Sequence, residues 1–134
     1  MQHDEFIGQV QNRARLASRG DAERASRATL ETLAERVPEG LADNLAAQLP
    51  HEIGEHLRRT EIFAGAGTGE RFSRQDFIAR VAQRAGVREQ QAAYLIRTVT
   101  EVVDEATEGG IMDNVAESLP ADIRQLVTAG SAGR

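Results

Sequence analysis

The chain is written twice. Setting residues 5–14 (EFIGQVQNRA) over residues 76–85 (DFIARVAQRA) brings Phe6/Phe77, Ile7/Ile78, Val10/Val81, Arg13/Arg84 and Ala14/Ala85 into register. After a one-residue deletion, Ala22/Ala92, Arg27/Arg97, Glu31/Glu101, Glu35/Glu105 and Gly40/Gly110 agree. So do Asp43/Asp113, Asn44/Asn114, Ala46/Ala116, Leu49/Leu119, Pro50/Pro120 and Ile53/Ile123. About 16 identities in roughly 50 aligned pairs, in order and with a single gap, exceed what chance gives this composition. The expectation is an all-α protein of two tandem four-helix repeats, packed about a pseudo-twofold into one compact helical bundle.

Within each copy the apolar spacing is helical. Phe6, Val10 and Ala14 recur at i, i+4, i+8 with Ile7 beside them, predicting a helix over about 3–16. Its counterpart starts after Ser73, whose S-x-x-D spacing to Asp76 reads as a capping box, and Ser18 with Asp21 repeats the signature before a second helix over about 19–36. Thr98-Val99 and Val102-Val103 are β-branched, but they lie on a 3.6-residue spacing whose first-copy equivalent is rich in Ala and Leu, so helix is expected there too. Glycine (PEG, EGG) is expected to end the second helix of each copy. Short third helices follow, with Leu41, Leu45 and Leu49, then Ile111, Val115 and Leu119. Each Leu-Pro pair stops one helix and starts the next, predicting fourth helices over about 50–58 and 120–128. The division is therefore 1–58 for the first repeat, 59–72 (RTEIFAGAGTGERF) for a Gly-rich linker pinned by Phe63 and Phe72, and 73–134 for the second repeat with a frayed C-terminus.

Composition narrows the function. No Cys is present, which removes disulfides, thiolate zinc sites and cysteine nucleophiles. The N-terminus lacks the basic and apolar regions of a signal peptide, and no apolar run approaches the ~20 residues of a membrane span, so the expected location is cytoplasmic. A net charge of −5 works against non-specific attachment to phosphate backbones, and aromatics at 4% leave few platforms for stacking bases. All 16 basic residues are Arg, which codon bias explains as readily as a need for forked donors.

The repeated F-x-x-x-V and A-x-x-L-P elements carry a resemblance. DEFIGQV (4–10), ATLETLAER (28–36), DNLAAQLP (43–50) and DNVAESLP (113–120) resemble the prokaryotic family known as domain of unknown function twenty-two sixty-seven. The resemblance covers nearly the whole chain and implies an all-helical duplicated fold. It implies no reaction, cofactor or catalytic residue. ESLP in the second copy departs from the family's QLP form.

Catalytic constellations are not found. His51 and His56 are five apart, about 140° around a helix, so they cannot share a tetrahedral metal site. The second copy has Ala121 and Leu126 at these positions. GAGTGE (65–70) lacks the Lys-Ser/Thr of a P-loop and the preceding strand of a dinucleotide fingerprint. Three His and five Ser without a G-x-S-x-G context give no triad. No cofactor, no metal and no enzymatic activity are expected. The repeated polar residues Arg27, Asp43, Asn44 and Arg97, Asp113, Asn114 remain open to three readings. Arg27 and Arg97 could turn inward and hold the short third helix as a structural polar junction, form plain surface, or bind a ligand or partner. The leading expectation is a non-enzymatic helical protein-interaction or oligomerisation module with a protein partner or self-association. The alternative is a nucleic-acid-associated regulatory protein using Arg13, Arg15, Arg19, Arg24, Arg27, Arg80, Arg84 and Arg88.

Overall fold

Local chemistry sets each helix boundary. The computed structural model describes residues 1–58 and 71–132, and among them are eight helices and no strand. These are α1 (His3–Ala14), α2 (Arg19–Arg36), α3 (Glu39–Gln48), α4 (His51–Arg58), α5 (Arg74–Ala85), α6 (Glu89–Ala106), α7 (Ile111–Glu117) and α8 (Ala121–Ala132). Ser18 Oγ accepts from the Asp21 amide, and Ser73 with Asp76 forms the full reciprocal capping box, each satisfying amides that the first turn leaves orphaned. The β-branched stretch 98–103 lies inside α6, as its spacing predicts.

Two boundaries differ from expectation. Glycine does not end α2 or α6. The α2 C-cap is Val37, extended at φ −100° and ψ 157°, because the residue before Pro38 is pushed out of the helical region. At the end of α6, Thr107 is extended, and its Oγ1 donates to the carbonyls of Val103 and Asp104 at 3.0 and 3.3 Å. Gly40 instead lies inside α3, and Gly110, at φ +72°, is the N-cap of α7. The other difference is the C-terminal stretch expected to fray, which stays helical through Ala132. The linker expected at 59–72 lies outside the described residues up to residue 70, Phe63 included. Phe72 is buried, its ring centroid 6.1 Å from that of Phe77.

One core runs through both halves of the chain. Phe6, Ile7 and Val10 of α1 are buried together with Phe77, Ile78 and Val81 of α5 and the inner faces of α2 and α6. Truncating either core Phe would cost about 3–5 kcal/mol. The packing crosses the halves: α1 touches α2 but also α6, while α5 touches α6 but also α2. The two long helices also meet each other, and α3 meets α7. Buried hydroxyls on α2 and α6 bond back along their own helices, Ser26 to the Ala22 carbonyl, Thr32 to Ala28 and Thr100 to Ile96. A helix interior can supply this partner, although the buried Thr29 Oγ1 does not take it.

Candidate functional site

Because α1 lies on α6 and α5 on α2, arginines at matched positions face glutamates of the other half. Arg13 on α1 reaches α6, where Nη1 donates to Glu101 Oε1 at 2.5 Å and to Glu105 Oε2 at 2.6 Å, and Nη2 to Glu105 Oε1 at 2.7 Å. Arg84 on α5 reaches α2, with Nη2 donating to Glu35 Oε2 at 2.8 Å and Nη1 to Thr32 Oγ1 at 2.7 Å, while Nη1 also stands 2.8 Å from Glu35 Oε1. Both are fork-to-fork pairs, the geometry in which guanidinium binds carboxylate most firmly. Arg80 adds a third cation, 3.3 Å from Glu35 Oε1.

Burial and charge oppose each other at Glu35. Loss of water pushes its carboxyl up, but hydrogen bonds and attraction from Arg84, then Arg80, outweigh that and hold it below its ordinary value. The Arg13 guanidinium is held above its ordinary range, chiefly by the hydrogen bond to Glu105 and against the opposing effect of burial. The Glu35 clamp is the drier of the two, its side chain only 16% exposed. Phe72 completes it: Arg80 Cζ lies 3.8 Å from the ring centroid, Arg36 lies 5.8 Å away, and Arg36 Nε donates to the Phe72 carbonyl at 3.2 Å. Tyr94 adds another bond between the halves, its hydroxyl donating to the Arg13 carbonyl at 2.9 Å.

The expected polar residues lie elsewhere. Arg27 and Arg97 are exposed, as are Asn44, Asp113 and Asn114. Asp43 is half-buried and sits 3.6 Å from Arg58. Neither Arg27 nor Arg97 turns inward to the short third helix; the matched arginines that bridge the halves are Arg13 and Arg84, which reach α6 and α2 instead. The sequence pairs those two between the copies, but their partners appear only once helix packing across the halves is known. At the joints next to the Leu-Pro pairs, Arg124 donates from Nε to the Ala116 carbonyl and from Nη2 to the Leu119 carbonyl, each at 3.1 Å.

His51 is exposed and lies 3.9 Å from Glu55, while Glu52 lies 3.8 Å from His3 Nδ1. His3 Nε2 is 3.3 Å from Glu23, so the ring stands between carboxylates of α2 and α4 and joins the start of α1 to both. Among the described residues, no three His, Asp or Glu are placed to hold a metal ion. The GAGTGE stretch lies outside the described residues. A surface groove of about 260 Å³ runs along α2 where α4 meets it, lined by Gly20, Glu23, Arg24, Arg27 and His56.

Fold and site together define an all-α helical bundle held across its halves by Arg–Glu forks. The chain belongs to the family described as uncharacterized conserved protein (DUF2267), whose model matches residues 3–126. No curated protein matches it. No described helix is long and apolar enough to cross a membrane.

Proposed function

We propose that this protein is a non-enzymatic helical module of the prokaryotic cytoplasm that acts by binding a protein partner or a second copy of itself. The supporting observation is where its strongest polar groups go. Arg13, Arg36, Arg74, Arg80, Arg84 and Arg124 all spend their donors on other elements or helix ends of the same chain. Such a body is a preorganised scaffold, and preorganisation lowers the entropy lost on association. Its two copies, packed reciprocally as the matched clamps suggest, would offer quasi-equivalent faces to a symmetric partner. Among the described residues Met1 and Tyr94 are the large apolar side chains left exposed. Recognition would therefore run through polar surface, to which exposed residues such as Arg97, Asp113 and Asn114 contribute.

Light scattering across protein concentration tests this. The expected result is a rise in mass that weakens at roughly 0.5 M salt, where surface charges are screened. A strict monomer at every concentration, with nothing retained by the immobilised chain from a host extract, would reject the proposal. The nucleic-acid alternative is disfavoured because Arg13, Arg19, Arg80 and Arg84 already face carboxylates. A gel shift at ~50 mM salt, where electrostatic affinity is strong, separates the two readings.

A further inference from the structure

We infer that the crevice between the α1–α2 turn and the α5–α6 turn binds a small aliphatic α-amino acid, with Arg24 and Asp21 taking its two charges. Residues of both turns and of the helices that follow them line one space of about 140 Å³. Its apolar walls come in pairs that the alignment matches, Leu16 with Val87 and Ala25 with Leu95. Ala25 and Leu95 are buried in the core, and Leu16 and Val87 pack against it while staying partly open. The floor is therefore greasy and is supplied by both halves.

The polar rim does not match. The alignment sets Asp21 against Gln91 and Arg24 against Tyr94. Tyr94 uses its hydroxyl on the Arg13 carbonyl at the end of α1. Arg24 stands at the matched end of α5, its Nη1 3.9 Å from where a Cβ on Gly86 would lie. The partial negative charge of a helix C-terminus accounts for that position, but no donor of the guanidinium is used there. Among the described residues, neither Arg24 nor the Asp21 carboxylate makes an ion pair or a side-chain hydrogen bond, with each other or elsewhere. A cation and an anion three residues apart on α2 thus edge an apolar hollow. A guest carrying a carboxylate, an ammonium and a short hydrocarbon chain would satisfy all three parts, its carboxylate on Arg24 and its ammonium on Asp21. The volume lies well below the ~300 Å³ at which drug-sized sites begin and limits the guest to one such molecule. This inference goes beyond the association proposed above and does not depend on it.

The test is a titration of the full chain with L-leucine, followed by amide NMR. Glycine, which has the head group alone, and isocaproate, which lacks the ammonium, serve as separate arms. Saturable millimolar binding of leucine is expected, with shifts centred on Leu16, Asp21, Arg24, Gly86 and Val87. Glycine and isocaproate should each bind more weakly. Arg24→Gln and Asp21→Asn should each weaken leucine binding about tenfold or more, the loss expected for a charge-assisted bond, while Arg97→Gln should leave it unchanged. Arg24 and Arg97 are exposed and Asp21 is half-buried, and a thermal melt verifies that the variants fold. The inference is overturned by shifts that do not saturate or that centre elsewhere, and by equal loss in Arg97→Gln. It is also overturned if either substitution at the rim leaves binding intact, or if isocaproate or glycine binds as tightly as leucine.

Discussion

A Cβ on Gly54 would stand 2.6 Å from the carbonyl oxygen of Ala46, so α3 and α4 touch backbone to backbone at that point. The matched position in the second half is Arg124, which spans the wider α7–α8 joint with its side chain and bonds the Ala116 carbonyl. One joint is closed by the absence of a side chain, the other by a long one. Gly54→Ala should destabilise by about 1–3 kcal/mol, as overpacking does, even though alanine favours helix. Urea unfolding read by circular dichroism checks this, and a variant as stable as the parent would show that α4 can move away freely.

Thr29 is fully buried, and its Oγ1 has no hydrogen-bond partner among the described residues. Position 99, its match, is a buried Val. Thr29→Val keeps the shape and removes a desolvated hydroxyl, so it should stabilise by about 1 kcal/mol. A loss of stability in the same unfolding experiment would reveal a partner for that hydroxyl.

Arg15 caps α1 in the left-handed region at φ 55°, where its match Gly86 caps α5 at φ 70°. A side chain in that conformation carries a steric cost that glycine escapes. Arg15→Gly should therefore stabilise by about 0.5–1 kcal/mol, and Gly86→Ala should destabilise by about 1 kcal/mol. The melting temperatures of the two variants should move in opposite directions.

The Arg84–Glu35 clamp should show the stronger coupling in double-mutant cycles, about 1–2 kcal/mol. The Arg58–Asp43 pair, more open to water and at 3.6 Å, should show less than about 0.5 kcal/mol. Equal couplings would mean that water screens the clamp as fully as the surface.

Acid should release the same clamp. Glu35 titrates below its ordinary 4.5 in the folded protein, so in that window the unfolded chain binds the extra proton. Its contribution to stability is complete above about 4.5 and is lost as pH falls through the lower, folded value. The stability gap between the parent and Glu35→Gln should thus be widest near neutrality and narrow below pH 4.5. A gap that stays constant down to pH 3 would remove Glu35 as its source.

Much of the fold was legible because helix spacing and capping are local. Phe6, Val10 and Ala14 announce α1 by their intervals, and Ser73 with Asp76 marks the start of α5 to the residue. The ends of α2 and α6 were misread because glycine competed with stronger local forces: Pro38 straightens Val37, and Thr107 caps with its own hydroxyl. The polar contacts between halves were only half legible. Alignment pairs Arg13 with Arg84 and Glu35 with Glu105, but it pairs Arg27 with Arg97 just as well and does not say which arginines turn inward. The real partners lie 88, 92 and 49 residues apart, a separation fixed by how helices cross and by nothing in the local spacing.

The exchange of salt links has a consequence for how such a molecule could come apart. Each half lends its cation to the other and receives an anion in return, so severing the chain near its middle would leave both pieces with stranded guanidinium and carboxylate groups and an open greasy face. Neither piece is a smaller version of the whole.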